Sequence, residues 1–180
     1  LTEGLYSCIE VARTDNPVPA FSAAMEYWEK KRGSRFAPSW SDIELLDLPT
    51  SVIPNCIVLD LGADLQASRY RFYGSAVGDV HGMELSNRTI SDVKPAAFRE
   101  HILFQYQTVV EVREPRLFAT LITVRSGARR QHYILRMPLS DDGDDVTNIF
   151  SIQDASDDRQ ELTDYFSAMA ENSNAGGGEA

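Results

Sequence analysis

The chain has no run of about 18 uninterrupted apolar residues, so nothing in it reads as a membrane-spanning helix. It also lacks a basic start followed by an apolar stretch and a cleavage site, so no secretory signal is expected. The first residue is Leu1 and not methionine, which leaves open a segment upstream of it. Cysteine is scarce. Cys8 and Cys56 stand alone, without Cys-x-x-Cys spacing. Two lone thiols fit a reducing compartment better than a disulfide framework, and the expected location is the cytoplasm. No Gly-Lys-Ser/Thr follows the Gly74, Gly78 and Gly82 spacing, so it is not a phosphate loop. Asp141–Asp145 lacks EF-hand spacing and its closing glutamate, and reads as a surface turn. There is no nucleophile elbow and no metal triad, so the chain is not expected to be an enzyme.

What is present is enough for one domain with extensions: 180 residues, 43% of them hydrophobic. The net charge of −10 is uneven. Residues 1–140 hold 16 acidic and 16 basic side chains, whereas residues 141–180 hold 11 acidic ones against Arg159 alone. An acidic end repels phosphate backbones, so nucleic acid is not an expected partner. A solvated tail and a docking segment for a basic partner both stay open.

Residues 1–19 form an N-terminal extension, in which residues 1–16 show weak periodicity and Pro17 and Pro19 precede a helix. Phe21, Ala24, Met25 and Trp28 then recur at helical steps, and Gly33 stops that helix. Ser39 or Ser41 caps a short helix through residues 42–46, and Pro49 and Pro54 frame a turn. Cys56–Leu61 and Arg69–Tyr73 read as strands. Strict alternation places Tyr70 and Phe72 on one face, with Arg69 and Arg71 on the other. Arg71 is expected to pair with Asp60 across the two strands. An arginine turned inward would instead make a carboxylate ligand credible. Short helical turns broken by glycine follow. A longer helix then opens at Asp92 or Pro95 and runs to about Glu111, with Phe98, Ile102, Tyr106 and Val109 as its apolar stripe. Two long strands, 115–125 and 130–139, flank a hairpin loop at Ser126-Gly127-Ala128. In the second, Tyr133, Leu135, Met137 and Leu139 share one face, while His132, Ile134 and Arg136 share the other. A fifth strand spans 147–152, and Ser156 caps a last helix in an acidic segment, 156–180, whose end from Asn172 is expected to be disordered. Two strands, a helical block and three strands make an α+β arrangement around an antiparallel sheet.

That order resembles a PAS domain, over roughly residues 20–155. The resemblance sharpens at Trp28 leading into Arg32-Gly33-Ser34-Arg35, and at Asp42 with Leu45-Leu46-Asp47-Leu48-Pro49. Tyr70-Arg71-Phe72-Tyr73-Gly74-Ser75-Ala76 continues it, as does Gly82-Met83-Glu84-Leu85 before Arg88-Thr89-Ile90-Ser91-Asp92. Together these are similar to a bacterial subfamily of short, stand-alone PAS proteins. One departure is Asn87, where that family often has glycine; asparagine also tolerates a left-handed backbone. The resemblance implies a five-stranded antiparallel sheet wrapped around interposed short helices, with an N-terminal flanking helix. It implies a sensory or regulatory binding module that senses a small ligand or a partner and signals through protein contacts.

The candidate pocket residues are Tyr70, Phe72, Val80, Phe98, Ile102, Tyr106, Ile122, Tyr133, Leu135 and Phe150. An open pocket and a filled core both stay open, the second giving an interaction adaptor without a ligand. Flanking helices of related domains often mediate homodimerisation, so Phe21, Ala24, Met25 and Trp28 are candidates for a dimer surface. The alternative is that they cap the chain's own sheet. No cofactor is expected. Haem through His101 is a further alternative, with His101 on the rim of the inner stripe. His81 sits in a Gly-flanked turn with no metal-ligating neighbour in sequence, and no metal site is expected. His132 is expected to face outward or toward a partner. Flavin and thioester photosensing are disfavoured, because neither Cys8 nor Cys56 lies in the helical block.

Overall fold

Segments rich in β-branched and aliphatic residues become strands, and all of them join one antiparallel sheet. The computed structural model describes residues 6–124, 127–154 and 159–175. The strands are Tyr6–Val11 (β1), Cys56–Asp60 (β2), Arg69–Tyr73 (β3), Arg116–Thr123 (β4), Arg129–Leu139 (β5) and Asn148–Gln153 (β6). Their spatial order is β1-β4-β5-β6-β2-β3. The two early and three late strands thus share one layer, as the PAS-like order implies. The sixth strand, β1, lies in the extension that showed only weak periodicity. It pairs with β4 from Tyr6 opposite Ile122 to Val11 opposite Leu117. As an edge strand with Ile9 exposed, it carries too few buried residues to show a clear pattern.

The helices are Pro19–Arg32 (α1), Ser75–His81 (α2), Ala96–Val112 (α3) and Arg159–Ala175 (α4). Residues 40–47 form two 3₁₀ turns and not one short helix, the first closed by Ser39 N–H donating to Asp42 Oδ2 at 2.9 Å. Helix α4 runs through Ala175, into the stretch expected to be disordered. Ser126 and Ser156 lie outside the described residues. No helix among the described residues is long and apolar enough to cross a membrane.

Both faces of the sheet are covered, so neither needs a partner to bury it. On one face α1 lays Phe21, Ala24 and Trp28, each at most 2% exposed, against Val58, Leu135, Met137 and Phe150. Trp28 Nε1 donates to the Pro138 carbonyl at 2.8 Å and ties α1 to β5. The expectation that this apolar stripe forms a dimer surface is therefore corrected. Only Met25 of the four is partly exposed, and the stripe caps the chain's own sheet. On the other face lie α2, α3 and α4, with Val77, Phe98, Tyr106, Val109, Leu162 and Phe166 in one core.

Strand β3 departs from strict alternation. Its pairing with β2 shifts between Val58 and Leu59, so that Phe72 faces Val58, Tyr70 faces Leu59, and Arg71 is the extra residue. A bulge of one residue inverts the faces beyond it. Tyr70 and Tyr73 consequently sit together on the helix-covered face, their rings 5.2 Å apart, while Phe72 packs into the α1 layer. The expected ion pair forms, with Arg71 Nε 2.8 Å from Asp60 Oδ1.

Candidate functional site

The polar residues of the central strands collect inside the cup. β4 supplies Thr120, β5 supplies His132 and Arg136, and β6 supplies Gln153 on the face toward the helices. Helix α3 adds His101 and Gln105, one turn apart and so on one side of the helix. Helix α2 adds His81 at its last position, where Gly82 ends the helix in a left-handed conformation at φ 63°. Aromatic walls from Tyr70, Tyr73, Phe98 and Tyr106 complete a cavity of about 20 Å³, room for roughly one water molecule.

Arg136 is the centre of this cluster and is 2% exposed. Its Nε and Nη2 both donate to Gln105 Oε1, at 2.9 and 2.8 Å. Its Nη1 donates to Ser151 Oγ at 3.0 Å, and the guanidinium lies 3.9 Å from the Tyr106 ring centre. No carboxylate among the described residues forms a salt bridge with it. Gln105 Nε2 in turn donates to Thr120 Oγ1 at 3.1 Å and lies 3.5 Å from Cys8 Sγ. His101 Nε2 meets Thr120 Oγ1 at 3.0 Å.

The three histidines are neutral at pH 7. Burial pushes His81 and His101 down to about 4 and His132 down to about 3, and the positive charge of Arg136 acts in the same direction. His81 Nε2 lies 3.3 Å from Gln153 Oε1 and so carries the hydrogen, which leaves its Nδ1 as an acceptor. That Nδ1 and the Nδ1 of His132 are buried without a hydrogen-bond partner. The two rings stand 6.4 Å apart. Arg136 is thus the one charged side chain among the described residues that line this polar chamber.

The structure brings Tyr70, Phe98, Ile102 and Tyr106 of the expected pocket together around this cavity. Val80 and Ile122 belong to the same core without lining the cavity. Phe72, Tyr133, Leu135 and Phe150 pack in the α1 layer on the opposite face, which corrects the expectation for them. The reason is that both faces are buried. The apolar face of β5 meets α1, and its mixed face with His132 and Arg136 lines the cup. His132 is 4% exposed and points inward, contrary to its expected outward position. His101 does not suit haem, since its Nε2 is already engaged by Thr120 and the adjoining cavity holds about one water. Arg69 and Arg71 stay outside the cup, on Asn87 and Asp60 respectively. Sequence reasoning passed over Arg136, Gln105, Thr120 and Gln153. The available signal was a histidine and an arginine at positions 132 and 136, on one face of a strand whose other face is fully aliphatic at 135, 137 and 139.

Residues 17–153 match a family model described as PAS domain. Among solved structures, the PAS domain of BvgS from Bordetella pertussis is 22% identical over 66% of this chain and 89% of that one, with a TM-score of 0.45. The light-state LOV domain of the blue-light photoreceptor Aureochrome1 is 14% identical over 67% of this chain and 91% of that one, at a TM-score of 0.39. VqmA from Vibrio cholerae, solved as a complex with ligand and DNA, is 15% identical over 55% of this chain and 44% of that one, at 0.42. No curated protein matches the chain.

Proposed function

The chain belongs to the PAS domain family, a family of sensory modules, and from that premise we propose that it is a regulatory binding module and not an enzyme. It holds a small molecule in the cup and passes the signal on through protein–protein contacts, with a partner or with a second copy. One observation carries the reading: a buried chamber lined by Arg136, His81, His132 and Gln105, in which two ring nitrogens lack partners. A core meant only for packing has no use for such groups, because each buried polar atom left unpaired costs about 1–3 kcal/mol. The free thiols of Cys8 and Cys56 fit action in a reducing compartment such as the cytoplasm.

A second reading, an adaptor with a filled core, rests on the cavity volume of about 20 Å³. Native mass spectrometry of the protein purified from its own host separates the two. A retained small molecule supports the sensor. The bare chain mass in every preparation replaces it with the adaptor.

A further inference from the structure

A guanidinium removed from water is costly unless a charge or a full set of hydrogen bonds compensates it, and a carboxylate fork is the strongest such partner. Arg136 has neutral partners alone: the Gln105 amide oxygen, which takes two of its N–H groups, the Ser151 hydroxyl and the face of the Tyr106 ring. Gln105 Oε1 stands where one oxygen of a carboxylate would stand. Beside it, His81 Nδ1 and His132 Nδ1 are buried and unpartnered; the first is an acceptor, which a carboxylate oxygen cannot satisfy but a hydroxyl next to the carboxylate, as in a hydroxy acid, can. An apolar ligand would leave the two ring nitrogens unsatisfied. A metal cation would meet the field of Arg136, and no group of three or more metal-ligating side chains exists among the described residues.

Resting on the binding-module reading, we infer that the cup receives a small carboxylate on Arg136, admitted when the Gln105 side chain swings off the guanidinium. The swing enlarges a cavity that otherwise holds about one water. It also removes the hydrogen-bonded link between α3 and β5, because Gln105 on α3 is what Arg136 on β5 now holds, and leaves the contact of the guanidinium with the Tyr106 ring. Binding thereby favours an arrangement in which α3 is held less firmly to β5, and this is how occupancy becomes a change of shape.

The test uses the full chain at constant ionic strength. Acetate and lactate are the probes, acetamide and lactamide their neutral counterparts, and Gln105→Glu is the variant. A built-in carboxylate should raise the Tm by about 2–4 °C and abolish the response to acid probes. The parent chain should show a saturable Tm rise with acetate or lactate and none with the amides. A Tm in Gln105→Glu that is unchanged or lower overturns the inference, since Arg136 would then be satisfied by the amide. So does a higher Tm in the variant with no response of the parent to either acid. Amides that act as strongly as the acids overturn the carboxylate class but keep the binding module. Silence from all four probes, with a bare native mass spectrum, overturns both.

Discussion

Burial holds His81, His101 and His132 in the neutral form, and that makes stability depend on pH in a definite direction. Their folded values, about 4, 4 and 3, lie below the ordinary 6.5. Between those limits the unfolded chain binds more protons than the folded one, so stability rises with pH through this window and falls on acidification. The charged group facing all three is Arg136, which opposes their protonation. Asp42, Glu84, Asp92 and Asp142, held low mainly by hydrogen bonds, add their own loss only as pH falls further, toward and below their ordinary values of 3.8 to 4.5. The denaturant midpoint should therefore fall from pH 6.5 downward, before the carboxylates protonate. His132→Asn should show a shallower fall over the same range. Parallel curves for parent and variant would show that His132 does not titrate as its burial requires. Some of this scale was legible in advance. Asparagine tolerates a left-handed backbone, and Asn87 has φ 62°. Cross-strand spacing alone points to the Arg71–Asp60 pair, and it forms. The inward turn of His132 and Arg136 was not legible, because residue type alone assigns polar side chains to water, and only the packing of α1 on the opposite face sends them into the cup.

At the scale of elements, the positions of the other five strands and of the long helix α3 follow from runs and stripes that single-chain periodicity reveals. Two features do not: the bulge that splits Tyr70 from Phe72, and the edge strand β1. Each depends on a pairing partner distant in sequence. The junction of β3 with α2 depends on such a partner too. Gly74 has ordinary extended angles, φ −62° and ψ 143°, so its role is not conformational freedom. A Cβ there would meet the Pro54 carbonyl oxygen at 2.2 Å and its carbon at 2.6 Å. Both are backbone atoms, and Gly74 N–H is also bonded to the Cys56 carbonyl at 2.9 Å, so the segment cannot shift without breaking a ladder contact. Gly74→Ala should destabilise by about 1–3 kcal/mol, the range for overpacking. Ser75→Ala, next in sequence and exposed, should stay within about 0.5 kcal/mol. Equal unfolding midpoints for the two variants would remove the close-approach account.

Across the whole molecule, the two ends of the chain close the cup. Tyr165 Oη donates to Tyr6 Oη at 2.9 Å, which joins α4 to the edge strand. Phe166 meets His81 edge-on at 4.5 Å and Phe98 at 4.9 Å, while His81 stacks on Phe98 at 5.1 Å. The acidic final segment thus does more than carry charge, since its apolar side chains pack behind His81 and Phe98, which line the chamber. Burial of Leu162, Tyr165 and Phe166 contributes about 1.5–3 kcal/mol each before the entropy of ordering the helix is subtracted. A chain ending at Asp154 should lose a few kcal/mol, seen as a Tm lower by about 5–10 °C. The same truncation exposes the His81 ring to water. Its desolvation is the largest cause of its low value, so its titration by NMR should move up from about 4 toward the ordinary 6.5. A stability loss without that movement would mean that α2 and β6 keep His81 dry by themselves, and that α4 supports the cup without sealing it.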